Sequence, residues 1–300
     1  MTVDASEYSS GRDTHQCDMP TADSDPEIAG SDPLTERPVR EYLGEGERVR
    51  AELTNTRVGV ERATEDGSEQ IEPDADHGAV AALTDSRAVF VVGQSDGDEV
   101  TSVPYVEFSG VDARTEMLAR TLVVETEAGA TWEFTARESD VLDDVVEHLR
   151  AAIPERLLAR AREHRDAAQT AVENGDCQAR IDALEATVDA FRRATTVVDD
   201  PDIATAATRE EAESAIDDLV CAHLARARNC RSVGNWSAEA GDAEDALDHF
   251  EDACDCFERA LELAERYPPG DADAIAAEHE HLLEKCDAVE VSASVSSALD

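Results

Sequence analysis

Residues 155–194 are written a second time at 221–260, at an offset of 66 and without a gap, and 15 of the 40 aligned positions are identical. Leu158-Ala159-Arg160-Ala161-Arg162 returns as Leu224-Ala225-Arg226-Ala227-Arg228. Glu173-Asn174-Gly175-Asp176 is answered by Glu239-Ala240-Gly241-Asp242, and Phe191-Arg192-Arg193-Ala194 by Phe257-Glu258-Arg259-Ala260. Chance in so Ala/Asp/Glu/Arg-rich a chain gives roughly one match in ten. A segment copied at a fixed offset is one supersecondary unit stacked on its twin, so this half of the chain must be assembled by repetition. Each copy reads as a helix, a turn at Gly175 or Gly241, and a second helix. Repeated helical units usually bind rather than catalyse, and the chain carries no GxSxG, P-loop or dinucleotide fingerprint. Catalytic residues and cofactors are therefore expected to be none.

Charge narrows the partners. The chain holds 70 Asp and Glu against 26 Lys and Arg, a net charge of −44, and Lys285 is its single lysine. Carboxylates hold water and hydrated cations at a surface, whereas lysine's alkyl stem exposes apolar area once its charge is screened. This balance suits a cytoplasm of molar salt, where the Debye length is about 3 Å, and the composition resembles that of haloarchaeal proteins. The acids are spread along periodic apolar segments, unlike the blocks of a disordered acidic chain. Nucleic acid is excluded as an expected partner, because its affinity rests on neutralised phosphates. With no apolar run of roughly 18 residues and no signal-peptide pattern, a cytoplasmic protein is expected. The seven cysteines, none of them between 36 and 152, read as reduced thiols.

Along the chain, residues 1–35 read as a disordered acidic leader. Residues 36–152 alternate in short apolar segments: Glu47 to Leu53, Arg57 to Arg62, an acidic loop through Asp76, then Ala79 to Thr84 and Arg87 to Val92 around a tight Asp85-Ser86 turn. Further strands end at Pro104, span Phe108 to Ala113, and flank a turn at Ala128-Gly129. A helix closes the segment, with Ser139 as N-cap and Val141, Leu142, Val145, Val146 and Leu149 as its apolar stripe. The fold class is α+β, a small antiparallel sheet with its open end covered by a helix, followed by an all-α domain.

The hairpin Leu83-Thr84-Asp85-Ser86-Arg87-Ala88-Val89-Phe90-Val91, the following Val103-Pro104-Tyr105-Val106-Glu107-Phe108-Ser109-Gly110-Val111, and Trp132-Glu133-Phe134 before a helix resemble the prokaryotic pleckstrin-homology-like (PH-like, GRAM-like) domains. That resemblance implies a seven-stranded antiparallel barrel plugged by a C-terminal helix. It also implies binding of lipid headgroups, peptides or proteins, without catalysis.

Residues 153–290 read as helical, with breaks at Asp199-Asp200-Pro201 and Tyr267-Pro268-Pro269-Gly270, residues 208–220 lengthening one helix, and 291–300 as a frayed tail. Gly234, Gly241, Ala246, Phe250 and Ala253 resemble the small and aromatic positions of a tetratricopeptide (TPR) hairpin. The first copy keeps Gly175 but has Arg180, Leu184 and Thr187 at the matching places, and the 66-residue period is about twice the family's 34. The region is TPR-like and not a TPR array.

Arg162, Arg165 and Gln169 on the first helix of one copy recur as Arg228, Arg231 and Asn235 in the other. Spacing of i, i+3, i+7 puts each trio on one helical face. Two guanidiniums and an amide form a donor set suited to a carboxylate or phosphate. In a TPR-like stack these positions resemble those lining the groove that clamps acidic peptide ends; the alternative is ion pairing with neighbouring acids. Cys254-Asp255-Cys256 and His279-Glu280-His281, with Cys286 nearby, invite a metal, but side chains at i and i+2 of a helix diverge, so the expected metal site is none. Trp132, Phe134 and Phe90 read as core; Trp236 fits either core or groove.

The function expected is a non-enzymatic intracellular adaptor binding a protein or acidic peptide partner through its helical repeats and PH-like domain. The rival is recruitment to a lipid surface, disfavoured because 36–152 holds 27 acids against 11 arginines. A remoter alternative is a metal- or redox-responsive regulator built on the helical cysteines.

Overall fold

The computed structural model describes residues 34, 37–116, 119–137, 140–197, 206–267 and 271–297. Apart from Leu34, the expected leader lies outside them, as do Ser139, the Asp199-Asp200-Pro201 and Pro268-Pro269-Gly270 breaks, and 298–300. Among the described residues the strands are Ala51–Asn55 (β1), Val60–Thr64 (β2), Gly67–Ile71 (β3), Ala79–Leu83 (β4), Arg87–Val92 (β5), Glu99–Pro104 (β6), Phe108–Glu116 (β7), Ala119–Thr126 (β8) and Thr131–Ala136 (β9). They pair antiparallel in two sheets, ordered β1-β4-β5-β6 and β3-β2-β9-β8-β7. The helices are Leu142–Asn174 (α1), Cys177–Thr196 (α2), Ala206–Ala240 (α3), Ala243–Arg266 (α4) and Ala272–Ser297 (α5).

The mixed α+β class stands, but the seven-stranded barrel is corrected. Among the described residues nine strands form two sheets that do not close on each other. The strand hidden from sequence is β3, which falls in the supposed acidic loop. Its Gly-Ser-Glu-Gln-Ile run is exposed at four of five positions, so both faces are wet and no apolar alternation marks it. A polar edge strand of this kind also discourages further pairing.

The inner strands β4 and β5 are apolar nearly throughout because both faces of their sheet are covered. Ala79, Ala81, Leu83, Ala88, Phe90 and Val92 face the main core. Val80, Ala82, Val89 and Val91 pack beneath Leu34, Val39, Tyr42 and Leu43, which belong to the segment around a single 3-10 turn, Val39–Tyr42. The Asp85-Ser86 turn forms as expected, closed by the Thr84 N–H donating to Arg87 O at 3.0 Å.

Glu47, expected inside the first strand, precedes it and clamps this turn. Its carboxylate accepts from Arg87 Nε at 2.9 Å, Arg87 Nη2 at 2.8 Å, Thr84 Oγ1 at 2.7 Å and the Gly44 N–H at 2.8 Å. Arg87 above all, with the other donors, outweighs burial and holds the Glu47 carboxyl at about 2. Gly59 has φ +68° beside the Ile71 carbonyl, which a Cβ would meet at 1.8 Å. Asn55 fixes that bend by donating to Gly59 O and accepting from Gly59 N–H, each at 2.9 Å.

Helix α1 is the second correction. The sequence reads as a capping helix ending near Pro154, with a repeat helix after it. One 33-residue helix instead runs through Pro154, starting after Val141 without a side-chain cap. Proline inside a helix removes one backbone donor and crowds the preceding turn. Ile153 and Leu157 on either side of it are buried in the sheet's own core, and this packing offsets the loss. That core joins Leu53, Phe90, Tyr105, Phe108, Leu122, Val124, Trp132 and Phe134 to Leu142, Val145, Leu149, Ile153 and Leu157 of α1, and to Ala194 of α2. Phe90 stacks on Trp132 with ring centroids 5.7 Å apart, so these aromatics are core. Arg193 of α2 adds a polar tie, donating to Val106 O at 2.6 Å and Phe108 O at 3.3 Å while pairing with Glu127 at 3.0 Å.

The duplicated segment makes the same turn twice. Gly175 (φ +71°) and Gly241 (φ +86°) end α1 and α3 in the left-handed region. Asp176 N–H donates to Ala171 O at 2.9 Å and Asp242 N–H to Ser237 O at 3.0 Å. Asp176 and Asp242 then cap the next helices, accepting from Ala179 N–H at 2.9 Å and Asp245 N–H at 3.2 Å. Gly234 lets α4 approach α3 closely, since a Cβ there would lie 2.6 Å from the Phe250 ring. The tail expected to fray from Val291 is helical to Ser297.

Candidate functional site

Each arginine trio reaches the helix that follows its own hairpin. Arg162 makes a two-pronged pair with Glu211, both contacts 3.1 Å, and Arg165 Nη2 donates to Ser214 Oγ at 2.7 Å and Asp218 at 3.0 Å. In the second copy Arg228 pairs with Glu278 at 2.5 and 3.1 Å, and Arg231 reaches the same carboxylate at 3.4 Å while lying over the Phe257 ring. Asn235 accepts from Lys285 Nζ at 3.0 Å. Glu211, Asp218, Glu278 and Lys285 all lie outside the aligned copies, so the repeat alone could not disclose them. The opening segment of α3 stands to the first hairpin as α5 stands to the second.

The trios are thus tied to separate neighbours rather than merged in one basic strip. Arg228 and Arg231 share Glu278. Arg165 and Gln169 instead line a cleft of about 310 Å³ between α1, α2 and α3, with Arg180, Val172, Leu184, Asp166 and Asp218. Arg180, missed in the sequence as a site residue, enters no ion pair or side-chain hydrogen bond among the described residues. Its signal was available: it replaces the small residue that Ala246 supplies in the second copy. Trp236, the residue after Asn235 on α3, is 70 % exposed.

Side chains two apart on a helix do diverge here. His279 is 13 % exposed and stacks on Phe257, while His281 is 62 % exposed beside Glu284. Cys254 faces Cys286, and burial first of all pushes its thiol up to about 12. Cys256 lies buried against another cleft, with Gln178, Ile181, Glu185, His223, Arg226, Asp252 and Asp255. Among the described residues, no three His, Cys, Asp or Glu side chains are placed to hold a metal ion. Nor is any helix long and apolar enough to cross a membrane. No protein-family model matches this chain, and neither does any curated protein.

Proposed function

We propose that this chain is a non-enzymatic adaptor, a TPR-like helical stack carried on a PH-like sheet and working in a salt-rich cytoplasm, whose cleft between α1, α2 and α3 takes a carboxylate of an acidic peptide. The observation that carries the reading is the convergence of Arg165, Gln169 and Arg180 on one cleft with apolar walls at Val172 and Leu184. Guanidinium pairs suit carboxylates because their N–H groups are planar, forked and permanently charged. Arg165 is already held in place by Ser214 and Asp218, so little side-chain freedom is lost when a ligand arrives. A lipid surface is the weaker reading, since an anionic membrane rewards each nearby basic residue by about 1 kcal/mol and 36–152 is dominated by acids.

The test is fluorescence anisotropy with a labelled hexaglutamate peptide across a range of KCl concentrations. Arg180→Ala is expected to weaken binding at least tenfold while leaving the melting temperature unchanged. Equal binding by the variant and the parent chain would sink the proposal.

A further inference from the structure

The cleft beside Cys256 is built differently from the arginine cleft. It encloses about 250 Å³ and draws Gln178, Ile181 and Glu185 from α2, His223 and Arg226 from α3, and Asp252, Asp255 and Cys256 from α4. His223 is only 7 % exposed, and neither ring nitrogen has a hydrogen-bond partner among the described residues. Buried polar atoms are rarely left so in a folded protein, because each unmade hydrogen bond costs the desolvation of that group. The nearest carboxylate is that of Glu185, whose Oε1 stands 3.8 Å from His223 Nε2 and 3.7 Å from Arg259 Nε. Both separations are too long for hydrogen bonds. The imidazole and the carboxylate therefore face each other with open positions.

The lining of the cleft sets the chemistry of a ligand that would fit it. Burial above all, with Arg259 and Arg226 nearby, pushes the His223 imidazole down to about 4, so at neutral pH one nitrogen offers a lone pair. Glu185, Asp252 and Asp255 offer only acceptors, and they outnumber the two cations that oppose them, Arg226 in the lining and Arg259 beside Glu185. A donor-rich cation complements that set, whereas an anion does not. The absence of three metal-ligating side chains placed around one point, among the described residues, argues for an organic cation over a metal ion. A primary ammonium carries three donors and no acceptor, and a guanidinium five. Either could donate to His223 and Glu185 together.

We propose that this cleft binds an alkyl ammonium or guanidinium group, with His223 and Glu185 accepting its N–H donors and Asp252 and Asp255 balancing its charge. The chemistry is the same for a free alkyl diamine and for the end of a partner's lysine or arginine side chain. The site is distinct from the arginine cleft and does not depend on the adaptor reading.

Titration of the full chain with agmatine, followed by NMR at the His223 Cε1–H resonance, tests the assignment. A saturable shift is expected with agmatine and none with neutral butyramide. Glu185→Gln and Asp255→Asn, both at the partly exposed rim, should each weaken agmatine at least tenfold, while Glu163→Gln on α1 should leave it unchanged as a control for lost charge. Competition by a blocked lysine peptide would assign the site to a partner's side chain; binding of agmatine without such competition would assign it to free cations. A resonance unmoved by millimolar agmatine, moved equally by butyramide, or indifferent to Glu185→Gln overturns the proposal.

Discussion

The two helical hairpins begin from one sequence and end in different employment. Arg193 and Arg259 occupy equivalent repeat positions, yet Arg193 is 16 % exposed and holds the carbonyls of Val106 and Phe108, while Arg259 is 45 % exposed and pairs with Glu185 and Glu262 at the surface. Ala194 is buried in the sheet's core; its twin Ala260 is buried among Phe250, Phe257 and Leu282. What separates the copies is the neighbour each inherited. A duplicated segment preserves its turns, which are decided locally by Gly175-Asp176 and Gly241-Asp242, but its flanks are rewritten by whatever packs on them.

The contrast can be broken most forcefully at the paired phenylalanines. Phe191 and Phe257 are both fully enclosed, and truncating either to alanine should cost about 3–5 kcal/mol. In a Trp236→Phe background, the fluorescence of Trp132 reports the sheet alone. Denaturant titration should show the Trp132 transition shifting strongly in Phe191→Ala and much less in Phe257→Ala; equal shifts would mean that the second hairpin is as tightly joined to the sheet as the first.

Acid separates the regions next. His223 has its folded pKa near 4, below the ordinary histidine value of 6.5, so the unfolded chain takes up the proton first and stability falls as pH drops from about 6.5 to 4. The expected loss is about 3 kcal/mol, with Glu185, Arg226 and Arg259 as the charges around the ring, and it should disappear in His223→Gln. Glu47 has its folded pKa near 2, below 4.5, so its contribution is present above about 4.5 and lost as pH falls toward 2. That later loss, also about 3 kcal/mol, should be absent in Glu47→Gln. Chemical denaturation at stepped pH reads both.

Smaller effects sharpen the comparison. Arg193→Ala removes charge-assisted bonds to carbonyls in a mostly enclosed setting and should cost about 2–3 kcal/mol, against under about 1 kcal/mol for Arg259→Ala at the surface. Smallest and most alike should be Arg162→Ala and Arg228→Ala. Their side chains are 58 % and 50 % exposed, so each pair with Glu211 or Glu278 is worth under about 1 kcal/mol in a double-mutant cycle. A large difference between the two would show that one pair supports the stack and the other does not.

Sequence disclosed the parts whose determinants are local. The 66-residue offset, the turn glycines, the Asp85-Ser86 hairpin and the buried aromatics could all be read because a few adjacent residues decide them. It concealed β3, which has no apolar face to reveal it, and the continuity of α1, because proline's local preference is overruled by burial of Ile153 and Leu157. The arginine trios were legible as a pattern, whereas their partners lie beyond the copied segment. His223 was unreadable as a site, since Glu185, His223 and Asp255 meet only after three helices pack. The lesson is one of range: single-helix faces can be seen in a sequence, and clefts between helices cannot.

The covering of the sheet by α1 and Ala194 also sets an order of events during synthesis. A chain made from its N-terminus completes β9 at Ala136 but lacks the residues that close its core until Ala194 has emerged. At typical elongation rates the core-facing residues of α1, as far as Leu157, follow within roughly 1–4 s and Ala194 within roughly 3–12 s, and until α1 arrives Phe90, Trp132 and Phe134 have no helix over them. The sheet's final closure therefore waits on translation of the first helical hairpin, and a nascent chain stalled within α1 would present an apolar surface to chaperones that the finished protein never shows.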